Sequence, residues 1–317
     1  MPEKNKISNS QVVCDVLIAA GKENRAILAV TSDSRGSAKL LPFAEVLPDQ
    51  LVEVGIAEQN LVSISAGLAH MGKRPFAASP ASFLSMRSIE QIKVDVAYSH
   101  TNVKLIGISG GISYGALGMS HHSAQDFAVT RAIPGLQVLC PADRFETKKM
   151  FEALIQSDEP AYIRLGRGAV QDCFENASFE FELGRAHTMI TGTDLTFIAI
   201  GEMVRQAMDA SLLLKVQGIS AEVLNVSSLK PFDDEAVRET AKKTGLVITV
   251  EEHSVYNGLG AAVAQSLAAE VGVVQKNVGL PDESPIAGES IEAFKYYGLD
   301  GKSLADLAKG LISQYDR

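Results

Sequence analysis

The chain has 317 residues, of which 46% are hydrophobic, 21% charged and 6% aromatic, a composition that excludes disordered, collagen-like and coiled-coil chains and predicts two domains at roughly 150 residues each. A net charge of −9 leaves no global basic field for a phosphate backbone, so nucleic acid is not expected as a partner. The first apolar run, 12–20, is far shorter than the roughly 20 residues of a membrane helix, which predicts a soluble, cytoplasmic protein with no membrane association. Cys14, Cys140 and Cys173 lie far apart with no CxxC pair. They are expected as buried small hydrophobes, not as disulfide or zinc partners.

Short β-branched runs alternate with helical-period segments, a pattern that predicts an α/β fold with parallel sheets covered by helices on both faces. Strands are expected at 26–30, 51–54, 75–78, 103–108, 136–140 and 161–165. Between Gly166 and Gly184 the alternation gives way to Gly166, Gly168, Asp172, Asn176 and Ser178, a polar connector. The expected division is therefore a first domain over 1–168, a linker over 169–184 and a second domain over 185–317. Strands at 195–200, 221–226 and 246–251, with helices over 203–216, from Asp233 and after Gly260, form a second, smaller βαβ set. Asp233 and Asp234 after Pro231 mark a helix start, since carboxylates suit the positive end of the helix dipole. A last helix is expected over 303–313.

Four stretches could carry chemistry. In Gly55-Ile56-Ala57-Glu58-Gln59-Asn60 a strand passes into a helix marked by Leu61, Ile64, Leu68 and Met71, so Glu58 falls at the carboxyl end of a strand, where ligands of open α/β sheets gather. With Ile56, Ala57 and Leu61 around it, the carboxyl is expected to be poorly solvated and suited to sharing a proton with a ligand nitrogen. The alternative is a glutamate that serves only the first helical turn. The stretch 109–122 carries four glycines, which let backbone approach a ligand, and ends in His121 and His122, a proton shuttle or a simple helix cap. Adjacent histidines chelate a metal poorly as a pair, and no metal site is expected on this chain. Phe83 could stack on a flat heteroaromatic ring or fill the core, while Arg87 could pair Glu90 across one helical turn or equally bind a ligand. Arg164 and Arg167 place two guanidinium groups at a strand end, suited to a phosphorylated substrate or to surface ion pairs, and their spacing leaves open which one faces a pocket.

Taken together, Gly55 to Asn60, the helix from Phe83-Leu84 to Glu90-Gln91-Ile92, and Ser120-His121-His122 resemble the transketolases, specifically the separately encoded C-terminal subunit of split bacterial transketolases. So do Arg131-Ala132-Ile133-Pro134, Pro141-Ala142-Asp143, Tyr162 to Arg167, Leu229-Lys230-Pro231, Glu251-Glu252-His253-Ser254 and Gly258-Leu259-Gly260. The resemblance runs from about residue 10 to the end. It implies a pyrimidine-binding domain followed by a transketolase C-terminal domain, with thiamine diphosphate lying between this chain and a partner subunit. The cofactor would supply the carbanion chemistry and the protein would position and activate it.

By the same resemblance, Glu58 matches the glutamate that hydrogen-bonds the aminopyrimidine nitrogen and favours the imino tautomer that deprotonates the thiazolium. Phe83 matches the aromatic packed on the pyrimidine, with Met86 sharing the contact, and Asp33 falls among the cofactor-binding positions. His121 matches a histidine near the donor's reacting hydroxyls. Ser37, Ser109 and Arg167 match substrate positions, Arg167 being suited to a sugar phosphate. The family's Gly-Asp-Gly and downstream Asn, which hold the diphosphate through Mg²⁺ or Ca²⁺, do not occur in this sequence. That implies an N-terminal partner subunit carrying diphosphate and metal, in an α2β2 assembly, with activity only from the pair.

Where many relatives read Gly-Glu-Asp-Gly, this chain has Gly115-Ala116-Leu117-Gly118, and a frequent histidine is replaced by Ser109. Leu117 cannot accept a hydrogen bond, which points to an unusual ketose phosphate donor such as apulose 4-phosphate. The rival readings are the β subunit of a 2-oxoacid dehydrogenase, a 1-deoxyxylulose-phosphate-synthase-like enzyme and a non-catalytic assembly subunit. His253 is expected as a structural hydrogen-bonding residue.

Overall fold

In the computed structural model, which describes residues 5–315, the apolar runs of the first half become strands covered on both faces. The run at 12–20 lies inside α1 (Asn9–Glu23), whose first turn is capped by the Ser8 side chain accepting from the Gln11 N–H. β1 (Ile27–Thr31) follows, buried at every position as a strand between two helical layers must be. Next come α2 (Leu41–Val46), β2 (Leu51–Glu53), α3 (Glu58–His70), β3 (Arg74–Pro80), α4 (Ala81–Arg87), α5 (Ile89–Gln91) and β4 (Lys104–Ile108). The helix expected over 83–92 is interrupted at Ser88, beyond which α5 runs on into a π-helical stretch, Ile92–Tyr98. α6 (Asp126–Arg131), β5 (Gln137–Leu139), α7 (Arg144–Gln156) and β6 (Ala161–Arg164) complete the first half.

After a connector without helix or strand, the chain forms β7 (His187–Ile190), β8 (Leu195–Ala199), α8 (Met203–Lys215), β9 (Ala221–Asn225), β10 (Ser228–Lys230) and α9 (Asp234–Thr244). It ends with β11 (Leu246–Ser254), α10 (Leu259–Ser266), β12 (Val274–Leu280), α11 (Ser290–Tyr296) and α12 (Gly301–Gln314). Asp233 caps α9 by accepting from the Ala236 N–H, and Gly245 closes it in the left-handed conformation. All three cysteines are buried and unpaired. Among the described residues no helix is long and apolar enough to cross a membrane.

The fold is α/β with two sheets. The first has seven strands in the order β10-β5-β6-β4-β3-β1-β2 and the second five in the order β12-β11-β8-β9-β7. Both depart from the expected all-parallel arrangement at one edge: β10 runs antiparallel to β5, and β7 antiparallel to β9. β10 departs further, because it comes from the second half of the chain and completes the sheet of the first, with Ser228 opposite Leu139 and Lys230 opposite Val138. The core follows the same plan. One apolar cluster runs from Val30, Leu61 and Val96 through Val138 to Ile198, Leu224 and Val247, so it joins residues of both sheets.

Leu229 in β10 is buried in that shared cluster. The substitution Leu229→Ala is expected to cost about 2–5 kcal/mol, read as a lowered urea midpoint in a single transition seen alike by probes in either half.

Candidate active site

In the first sheet β1, β2, β3, β4 and β6 run parallel, so the loops that leave their carboxyl ends share one edge. The chain leaves β1 for β2 on one side and returns to β3 on the other. Such a reversal of strand order opens a crevice where α/β sheets bind ligands. Glu58 begins α3 there and is 5% exposed. Its apolar surround is thinner than expected, because Ile56 points into solvent with 75% exposure. Instead both carboxylate oxygens accept from the Arg87 guanidinium, each at 3.2 Å. Arg87 therefore pairs a residue 29 positions away, not the expected Glu90, because the break at Ser88 ends the helical register that would align them.

Arg87 is also stacked on Phe83, its guanidinium carbon 4.0 Å from the ring centroid. From Phe83 the contacts continue in one direction. The Phe83 ring meets the His121 imidazole edge-on at 5.1 Å, His121 meets the Tyr114 ring at 5.3 Å, and the Arg167 guanidinium lies over Tyr114 at 4.8 Å. Glu58, Arg87, Phe83, His121, Tyr114 and Arg167 thus form a continuous row with a carboxylate at one end and a guanidinium at the other. Edge-on aromatic pairs and cations over ring faces are both attractive arrangements of the ring quadrupole.

The two histidines of the loop separate. The His121 ring stands half-buried in the row, its Nδ1 3.0 Å from the Ser120 hydroxyl. His122 turns inward, its Nε2 3.1 Å from the Gly115 carbonyl oxygen. Burial pushes the His122 pKa down, against the effect of that hydrogen bond. His122 thus ties the loop to itself.

The loop is held from beneath by Arg164. This guanidinium, 3% exposed, donates to the Glu252 carbonyl at 2.6 Å, pairs the Glu252 and Asp126 carboxylates at 3.4 and 3.5 Å, and lies over the Phe127 ring. Glu252, on β11 of the second sheet, accepts the Ile112 N–H at 2.7 Å. A Cβ on Gly110 would collide with Arg164, and one on Gly111 with both Arg164 and Glu252. Gly111 is therefore required by the second domain's approach, and Gly110 by Arg164 of the first. His253 is fully buried, stacks on Phe127 and accepts the Ala128 N–H, and burial drives its pKa down to about 4, which leaves it neutral and structural.

Of the residues expected in the site, Glu58, Phe83, His121 and Arg167 share the row. Met86 sits on α4, half-exposed, and Ser109 ends β4, buried and in the left-handed conformation at φ 55°. Asp33 and Ser37 occupy the loop after β1, exposed, and no hydrogen bond or ring contact joins them to the row among the described residues. The Asp33 N–H is instead taken by Glu53, whose carboxylate also accepts from Thr31 and Gly55. Arg164, left as an alternative to Arg167 from the sequence, is enclosed between the domains. Arg87, Tyr114 and Glu252 were not singled out as site residues. Their partners are distant in sequence, and the one available signal was that Arg87 and Tyr114 lie within the two stretches already noted.

Residues 5–172 match the transketolase pyrimidine binding domain and residues 184–304 the transketolase C-terminal domain. The chain is 49% identical over 313 residues to one subunit of the apulose-4-phosphate transketolase of Phocaeicola vulgatus, covering 97% of this chain and 100% of that subunit. It is 38% identical over 295 residues to a 6-deoxy-6-sulfo-D-fructose transketolase subunit of a Clostridium species, covering 93% of this chain and 91% of that one. Among solved structures, a split-gene transketolase in the form of an inactive beta4 tetramer matches with a TM-score of 0.87 at 35% identity, over 97% of this chain and 99% of that one. The chain belongs to the transketolase family. Within it, the chain is a transketolase-type subunit of the separately encoded, C-terminal kind.

Around Arg164 three carboxylates compete for one cation. Desolvation pushes Glu202 up to about 7 and Glu252 up to about 8, against the pull of Arg164, and the Glu202 Oε1 has no hydrogen-bond partner among the described residues. Carboxyls raised above their unfolded value stabilise the fold fully below that value, and the contribution is lost as pH rises through the folded one. Stability is therefore expected to fall by on the order of a few kcal/mol as pH rises from about 4.5 to about 8, and to level off above that. Glu202→Gln should flatten the dependence of the urea midpoint on pH across this range.

Proposed function

We propose that this chain works with a separately encoded N-terminal subunit as a thiamine-diphosphate-dependent transketolase, moving a two-carbon glycolaldehyde unit from a ketose phosphate to an aldose phosphate. The observation that carries this reading is the row from Glu58 to Arg167, which aligns a buried carboxylate, an aromatic face, an imidazole and an exposed cation along one edge of the sheet. When bound, the cofactor would supply the carbanion chemistry that cleavage of a ketose C–C bond needs.

The residues fit that group. A planar guanidinium with N–H donors already spans Glu58 and the Phe83 face, so the same two side chains suit a flat, nitrogen-bearing ring. Glu58 would hold a proton at the pyrimidine nitrogen, Phe83 would give the ring a face, and Met86 would pack beside it. Asp33 joins the cofactor-binding residues in this reading, from the neighbouring loop. His121 would orient a donor hydroxyl or move its proton, with Ser37 and Ser109 as further substrate contacts. Arg167 would pair the donor's phosphate. The partner would carry Mg²⁺ or Ca²⁺ with the diphosphate, in a cytoplasmic α2β2 assembly, and the chain would divide at 169–184 into the two domains.

Apulose 4-phosphate is the donor proposed, supported by the relative of that specificity and by Leu117, which is apolar and 54% exposed on the loop. The test is co-expression with the neighbouring gene's product, followed by a panel of ketose donors with thiamine diphosphate and Mg²⁺. Transfer that requires both chains is expected. Turnover by the single chain would overturn the partner requirement, equal or better use of xylulose 5-phosphate the choice of donor, and oxidative decarboxylation of a 2-oxoacid the reaction itself.

In that pair, Glu58→Gln is expected to lower turnover by about 10²-fold or more while the urea midpoint of the chain stays close to wild type. Arg87→Ala frees the Phe83 face and the Glu58 carboxylate together. It is expected to tighten cofactor binding about threefold, the scale of one ring contact and one ion pair whose cation is half-exposed, measured by calorimetric titration of the pair.

A further inference from the structure

Tyr114 connects the two ends of the site's recognition half, and nothing in the proposed reaction gives it a task. Arg167 lies beyond the end of β6 between Gly166 and Gly168, exposed to solvent. Among the described residues it makes no hydrogen bond and no ion pair, and the Tyr114 ring, 4.8 Å from the guanidinium carbon, is the partner that locates it. Stacking on a ring face orients a guanidinium without using its N–H donors. The cation therefore keeps its full charge and its donor fork for an incoming anion.

Tyr114 is itself well founded. The Ser113 hydroxyl donates to the Gly110 carbonyl at 2.6 Å, the Gly115 N–H returns to the Ile112 carbonyl at 2.9 Å, and the Gly115 carbonyl is held by His122. The backbone on either side of the ring is thus fixed, and the same ring bounds His121. We propose that Tyr114 is a positioning residue for donor specificity. It presents the Arg167 guanidinium to a tetrahedral oxyanion at the far end of the ketose, whether phosphate or sulfonate, at a set distance from the proton-moving His121. This rests on the reading of Arg167 as the donor's anion partner.

The experiment uses the two-subunit complex with three donors, a ketose phosphate, a ketose sulfonate and the uncharged ketose erythrulose. Tyr114→Leu is expected to raise KM about three- to fivefold for whichever anionic donor the complex accepts. It should raise the erythrulose KM distinctly less than the anionic KM, and Tyr114→Phe should restore the anionic KM. Equal effects on charged and uncharged donors, or none, would overturn the proposal. Arg167→Ala tests the underlying reading separately, which fails if the anionic KM does not move. A second readout needs no activity. In the isolated chain the Arg167 Nε–H resonance should carry an upfield ring-current shift that Tyr114→Phe keeps and Tyr114→Leu removes, and its absence from the wild type would sink the contact itself.

Discussion

One buried guanidinium organises this molecule. Arg164 leaves the end of β6 and enters a space enclosed by α6, β11 and the start of α8, where Asp126, Glu252 and Glu202 surround it. A cation so far from water is tolerable when carboxylates and carbonyls replace its hydration, and the carboxylates need the cation just as much. The arrangement therefore demands that both domains be folded and pressed together. In return it locates the glycine-rich loop, since Glu252 holds the Ile112 N–H while Arg164 excludes any side chain at Gly110. The second domain touches none of the residues in the row from Glu58 to Arg167 through a hydrogen bond, ion pair or ring contact among the described residues, yet it sets the path of the loop that carries His121.

Exposure along the row rises from Glu58 to Arg167, apart from the half-exposed Arg87 beside the carboxylate. Glu58 is nearly buried, His121 is intermediate and Arg167 is exposed. Such a gradient suits a site in which proton chemistry needs a poorly solvated carboxyl, where electrostatic effects are strong, while recognition of a phosphate needs a cation that can still meet it from solution. Rings occupy the middle and separate the Glu58–Arg87 pair at one end from the Arg167 cation at the other.

Much of this was legible in the sequence because periodic apolar runs report burial directly. All nine expected strands formed, and Asp233 capped its helix as predicted. What stayed hidden has a common cause. β7 and β12 are edge strands of intermediate burial, so they show neither a continuous apolar run nor a clean alternation, and β10 is three residues long with a partner far earlier in the chain. At the site, sequence spacing suggested Arg87 with Glu90, but the Ser88 break broke that register. A three-residue interval could not decide between Arg164 and Arg167, because β6 ends at Arg164 and the strand rule no longer applies at 167. Glu58 was legible as a strand-end carboxylate, and the thinness of its apolar jacket was not, since exposure of Ile56 depends on how the loop after β2 turns.

β10 also bears on how such a chain can be divided. A break in the polar connector between β6 and β7 looks harmless, for no regular element crosses it. Yet the upstream piece would lose the strand that covers the β5 edge, an open row of N–H and C=O groups that invites pairing with other chains. The downstream piece would carry that strand with nothing to pair it, and each would expose its half of the shared apolar cluster. Gene fission, circular permutation or domain exchange at this connector therefore meets a topological obstacle.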